Sequence, residues 1–180
     1  MSRIRVVLLL ILLLCSTLAF GTVITGTISN WVESGPALQI GDPTHFVHIW
    51  WSCGYCNPGG TAYFYGSQFS NVLDSDVAVA TGVTDINQLT NASLYSFTRL
   101  STGQVPVGTF VLYRNKISGD YAAIRIDDIT GNGTFNTFLD GTWWLQTDGS
   151  PNLAGVPEPT SCVLVVTGLA AFLRRIRNRR

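Results

Sequence analysis

The sequence is poor in the residues that build helices. Between Gly21 and Val156 it has no methionine, one lysine (Lys116) and one glutamate (Glu33). Surface helices draw heavily on these residue types, so their scarcity argues against a helical bundle. Positive charge is scarce as well. Seven of the basic residues lie near the ends, at Arg3, Arg5, Arg174, Arg175, Arg177, Arg179 and Arg180. Residues 22–155 keep only Arg99, Arg114, Lys116 and Arg125 against ten acids, a net charge of −6. Nucleic-acid binding needs a basic patch, which this body lacks; the balance suits a soluble surface. Histidine occurs only at His45 and His48, and nothing places either beside a particular serine as an acyl-transfer relay requires. Aspartates are plentiful, but no spaced carboxylate pair stands out. No enzyme activity and no cofactor are expected. The chain has no internal repeat, which argues against a solenoid.

What is present favours strands and turns. The body is rich in Thr, Ser, Gly, Asn, Val, Ile, Phe, Tyr and Trp. Strand-like runs recur at 23–32, 44–51, 61–65, 94–100, 109–114, 121–129 and 142–146. In one of them, Ile124-Arg125-Ile126-Asp127 alternates as a half-buried strand does. Breaks fall at Gly41-Asp42-Pro43, Asn57-Pro58-Gly59-Gly60, Gly119-Asp120 and Gly131-Asn132-Gly133. The expected fold is mainly β, an antiparallel β-sandwich of jelly-roll-like type spanning 22–148. A short helix near 85–89 is a weak expectation inside an ambiguous stretch, 70–92. Residues 149–155, Gly-Ser-Pro-Asn-Leu-Ala-Gly, read as a flexible linker.

Cys53-Gly54-Tyr55-Cys56 is a C-x-x-C. In an exported body its default state is a disulfide between Cys53 and Cys56. A thioredoxin-like redox site would place the first cysteine at a helix start, and Asn57-Pro58-Gly59-Gly60 allows no helix there. With His45 and His48 the cysteines also spell H-x2-H-x4-C-x2-C, four zinc-ligand types. An extended strand puts positions 45 and 48 on opposite sides, and export favours oxidised cysteines, so no metal is expected. Asp128-Ile129-Thr130-Gly131-Asn132-Gly133 is faintly like a calcium loop, but Leu139 stands where the loop's closing Glu belongs. A tight hairpin turn accounts for its glycines. Trp50, Trp51, Tyr55, Tyr63, Phe64, Tyr65, Trp143 and Trp144 are candidates for a sugar-stacking platform. Adjacent strand residues point to opposite faces, so at least half of them are expected in the core.

Both ends of the chain are hydrophobic. Arg3 and Arg5 precede an unbroken apolar run, 6–14, and small residues follow at Ser16, Thr17, Ala19 and Gly21. Residues 1–21 therefore read as a secretory signal peptide, handled by the Sec translocon and a signal peptidase. At the other end stand Val156-Pro157-Glu158-Pro159, an apolar run 160–173, and then Arg174, Arg175, Arg177, Arg179 and Arg180. The run is short for a spanning helix, which takes roughly 17 to 25 residues, but snorkelling arginines extend its effective length. The arginines act as a membrane stop on the cytoplasmic side.

These last 25 residues resemble the PEP-CTERM sorting domain, through the Pro157-Glu158-Pro159 motif, the apolar run and the arginine cluster in strict order. The resemblance covers 156–180 and leaves the body unrecognised. It implies a substrate of an exosortase, a membrane-embedded cysteine transpeptidase-like protease. Such a protein is held in the inner membrane by its tail, cut near the motif, and delivered to the cell surface or extracellular matrix of a Gram-negative bacterium, often one that makes exopolysaccharide. The expected role is structural or adhesive. The alternatives are a secreted carbohydrate-binding module using exposed aromatics and a small secreted hydrolase.

Overall fold

The computed structural model describes residues 22–55, 58–69, 72–131 and 136–154. The expected signal peptide and sorting signal, with their flanking helices, lie outside these residues. Among the described residues no helix is long and apolar enough to cross a membrane.

The described body is mainly antiparallel β. Its strands are β1 (Val23–Val32), β2 (Leu38–Gly41), β3 (Phe46–Ile49), β4 (Trp51–Tyr55), β5 (Thr61–Phe64), β6 (Ser75–Ala80), β7 (Val105–Pro106), β8 (Phe110–Asn115), β9 (Tyr121–Thr130) and β10 (Phe138–Gln146). A five-stranded sheet runs β1-β10-β9-β8-β6, and two small sheets, β2-β3 and β4-β5-β7, complete the set. Strands β8, β9 and β10 follow one another as a meander within the large sheet.

The large sheet is covered on both faces, which makes it the middle layer of three. Alternate residues of a strand face opposite ways, and β8 separates them cleanly. Val111 and Tyr113 join a core with Ile40, Val47, Ile49, Trp51 and Phe64 of the small sheets. Phe110 and Leu112 join a second core with Leu89, Ala92 and Leu153. A strand buried on both sides reads as continuous hydrophobicity rather than alternation, and Phe-Val-Leu-Tyr at 110–113 does so.

Bulges re-aim side chains where alternation alone would fail. The β1–β10 register shifts between Ile28 and Trp31, so both side chains point into the core although three positions separate them. Asn30 takes the left-handed backbone (φ 52) inside that bulge, and its N–H donates to the Asp140 carboxylate at 2.6 Å. A second shift, between Asp140 and Gly141 where β10 pairs with β9, does the same for Ile126 and Ile129.

The outer layer over the second core is loop with two 3₁₀ turns, Ile86–Gln88 and Ala92–Leu94. Asp85 caps the first with a capping box completed by Gln88; Asn91 caps the second by accepting from the Ser93 N–H. The expected strand at 94–100 is not formed: the segment leaves the second turn, pairs with the sheet through a single bridge from Thr98 to Val77, and lays Phe97 against Tyr121 and Arg114. The stretch expected to be a linker is docked as far as Ala154. Leu153 is fully buried, the N–H groups of Leu153 and Ala154 both donate to the Leu89 carbonyl (2.9 and 3.0 Å), and the Gln146 side chain donates to the Asn152 carbonyl. Its one leucine gives this polar-looking segment an apolar anchor.

Candidate functional site

Strand β3 lies across one end of the large sheet, and this sets both histidines. The His45 Nδ1 meets Asp120 Oδ1 at 3.2 Å, just before β9. The Phe46 carbonyl accepts from Asn115 Nδ2 at the end of β8. The His48 N–H donates to Ser75 Oγ at the start of β6, and His48 Nδ1 meets Asp74 Oδ2 at 2.6 Å. Each imidazole thus has its own carboxylate, and the two do not converge. Asp120 is 1% exposed and is further held by the Ser118 hydroxyl. Ser75 Oγ is engaged by Asp74 Oδ1 and the His48 amide, not by an imidazole. The residue types of a nucleophilic relay are present here without its geometry; the contacts fasten β3 to the sheet.

Cys53 takes a different place from the histidines. Cys53 lies in β4, beside the register shift that separates it from Tyr55, and it is disulfide-bonded. Its N–H donates to the Glu33 carboxylate at 2.9 Å. A sulfur held in a disulfide is not a thiolate ligand, so Cys53 does not join His45 and His48 around a zinc ion. Among the described residues no group of three or more His, Cys, Asp or Glu side chains is placed to hold a metal. Cys56, its expected partner, lies outside the described residues. So do part of the calcium-like loop, from Asn132 on, and the whole sorting motif with its arginines.

The aromatics divide as strand geometry requires. Trp51 and Phe64 are fully buried. Trp50 is half-buried, its indole N–H donating to the Gly35 carbonyl, and it packs with Tyr65 and Phe69 at ring separations of 4.6 and 6.1 Å. Trp143 and Trp144 point to opposite faces of β10 and join the first and second cores. No flat strip of exposed rings forms among the described residues. Trp143 also lines a recess.

That recess is a groove of about 710 Å³ between β1 and β2. Its apolar lining includes Ile24, Ile28, Leu38 and Trp143; Thr27, Asn30, Gln39 and Asp42 supply polar groups. Gly26 makes room for Trp143. The two are directly paired across β1 and β10, and a Cβ on Gly26 would stand 2.5 Å from the indole Cζ2. An aromatic ring laid over a cross-strand glycine is a known way to protect a sheet edge. Here the same ring lines the groove. No family model, curated protein or solved structure matches this chain.

Asp42 closes one end of the groove in a tight turn. The Thr44 hydroxyl, the His45 N–H and the Thr44 N–H all donate to its carboxylate, which holds its pKa down at about 2. Tyr113 is buried in the first core, its hydroxyl donating to the Trp50 carbonyl, and burial pushes that hydroxyl far above the ordinary tyrosine range. Of the residues that make the groove, Trp143 was among the aromatic candidates in the sequence; the others were not legible as a site. Gly26 and Trp143 lie 117 positions apart and meet only through the pairing of β1 with β10.

Proposed function

We propose that this is an exported surface protein, sorted through its C-terminal signal and serving a structural or adhesive role rather than a catalytic one. The order of Val156-Pro157-Glu158-Pro159, apolar run and arginines carries the reading. In this reading the inner membrane holds the chain by its tail until an exosortase cuts near the motif. The oxidised state of Cys53 supports it, because structural disulfides belong to compartments outside the cytoplasm. The Cys53–Cys56 pairing is part of the proposal. The body is a β-sandwich-like domain covered on both faces of its main sheet, an architecture suited to persistence outside the cell.

A second reading is carried by the groove between β1 and β2. An indole wall with amide, hydroxyl and carboxylate groups is the lining a sugar ring requires: C–H faces pack on the aromatic, and hydroxyls pair with the polar side chains. In this reading the body binds exopolysaccharide. Trp143→Ala should then abolish retardation of the protein in polysaccharide-containing gels, and Trp50→Ala should not.

The sorting proposal is tested by intact mass of the protein from envelope and medium, in a host with and without the exosortase. Enzyme-dependent loss of the tail near Pro157 supports it. An intact C-terminus in both hosts overturns it.

A further inference from the structure

The body ends docked, not dangling. Leu153 is 0% exposed, and Leu153 and Ala154 both donate to the Leu89 carbonyl, which ends the first 3₁₀ turn. The Ala92 N–H, in the second turn, donates to the Pro151 carbonyl at 2.7 Å. The chain therefore leaves the body from the layer that carries both turns. Only 155–159 separate that exit from the apolar run that starts at Thr160. Even fully extended, the stretch from Ala154 to Thr160 reaches about 20 Å. The headgroup layer itself takes up roughly 5–7 Å of that span.

The layer beside the exit has the composition of a surface that meets headgroups. Across 81–96 the only charged residue is Asp85, in a body that otherwise carries a strong net negative charge. Leu94 is 80% exposed, two positions from the Ala92–Pro151 contact. Tyr95 follows it, half-buried, and tyrosine favours the membrane–water interface. A face with few acids can approach an anionic bilayer with little repulsion.

We propose that the layer of the two 3₁₀ turns, with Leu94 at its tip, rests on the bilayer while the tail is inserted, held there by the short docked tether. This rests on the sorting reading above. The occupant of this face is the lipid surface from which the tail emerges. The groove, lined by β1 and β2, belongs to the side of the first core and faces away.

The test uses the chain from Thr22 to Arg180, as signal-peptide removal would leave it, with Cys162→Ser, reconstituted in phosphatidylethanolamine–phosphatidylglycerol vesicles. A spin label is placed by Leu94→Cys or, as the comparison, by Gln39→Cys, an exposed position of β2. Flotation with the vesicles, loss of collision with an aqueous nickel chelate at position 94, and full collision at 39 support the proposal. Flotation with equal collision at both positions overturns it and leaves the tail reading intact. Failure to float overturns the tail reading, and the proposal with it. A Gly-Ser spacer of roughly twelve residues after Gly155 adds on the order of 20 Å of slack and should restore collision at 94; protection that survives the spacer would overturn the tether as its cause.

Discussion

The Trp143 indole lies over Gly26, its Cζ2 2.5 Å from where a Cβ would stand. Gly26→Ala must move the ring or the strand. Overpacking of this kind costs about 1–3 kcal/mol, and the displaced indole changes the wall of the groove. Urea unfolding of the variant should show the loss, with an altered tryptophan emission in the native state. A variant as stable as the parent with unchanged emission would show that the ring has slack.

Leu153 is expected to count as a core residue. Leu153→Ala removes a fully buried side chain from the second core and should cost about 2–5 kcal/mol. Leu94→Ala, at an exposed position, should change stability by less than about 0.5 kcal/mol. Chemical denaturation of both, without the tail, checks the contrast. Equal effects would mean that residues 150–154 do not belong to the folded body.

The Asp42 turn should leave a mark on acid stability. Its folded pKa is depressed, from 3.8 to about 2, chiefly by the Thr44 hydroxyl. A depressed carboxylate adds stability that is present above its unfolded pKa and is lost as pH falls through its folded one. The advantage of the parent over Asp42→Asn should therefore be full at neutral pH and vanish between about pH 4 and about pH 2. Denaturation midpoints measured across that range decide it; a constant difference would mean that the charge is irrelevant.

Cys53→Ser should destabilise the body by about 2 kcal/mol, the small value expected for a bridge that closes a very short loop. Reductant should bring the parent down to the variant and leave the variant where it is. A parent indifferent to reductant would contradict the pairing of Cys53 with Cys56.

The sequence made the strands more legible than their arrangement. The β1 run, Val23–Val32, was readable to its ends because it is rich in β-branched residues and holds no proline or charge. Tyr121–Thr130 was nearly so, since Ile124 and Ile126 alternate with Arg125 and Asp127. Strand β6, Ser75–Ala80, escaped notice: buried on both faces, it shows small residues and Asp76 rather than a hydrophobic alternation. Asp76 tolerates burial there because Ser67 and Arg114 pair with it. Residues 94–100 look like a strand in composition, but the Asn91 cap commits their start to a 3₁₀ turn. A jelly-roll-like path is a statement about connections, and composition carries none. The β8-β9-β10 meander is set by two successive hairpins in one sheet. The groove and the two His–Asp contacts were illegible for the same reason. His48 and Asp74, or Gly26 and Trp143, become neighbours only when distant strands are laid side by side.

The pairing of β1 with β10 has a consequence in time. The strand nearest the start of the described body has as its sheet partner the strand nearest its end, and Leu153, later still, completes the second core. Contacts this distant in sequence form late and slowly. On the export route proposed above, a chain threading through a pore cannot close its main sheet until β10 has come through. The last piece of the second core arrives only a few residues before the apolar run. On that proposed route the body would stay open for nearly the whole of its passage and close only as its last strand arrives.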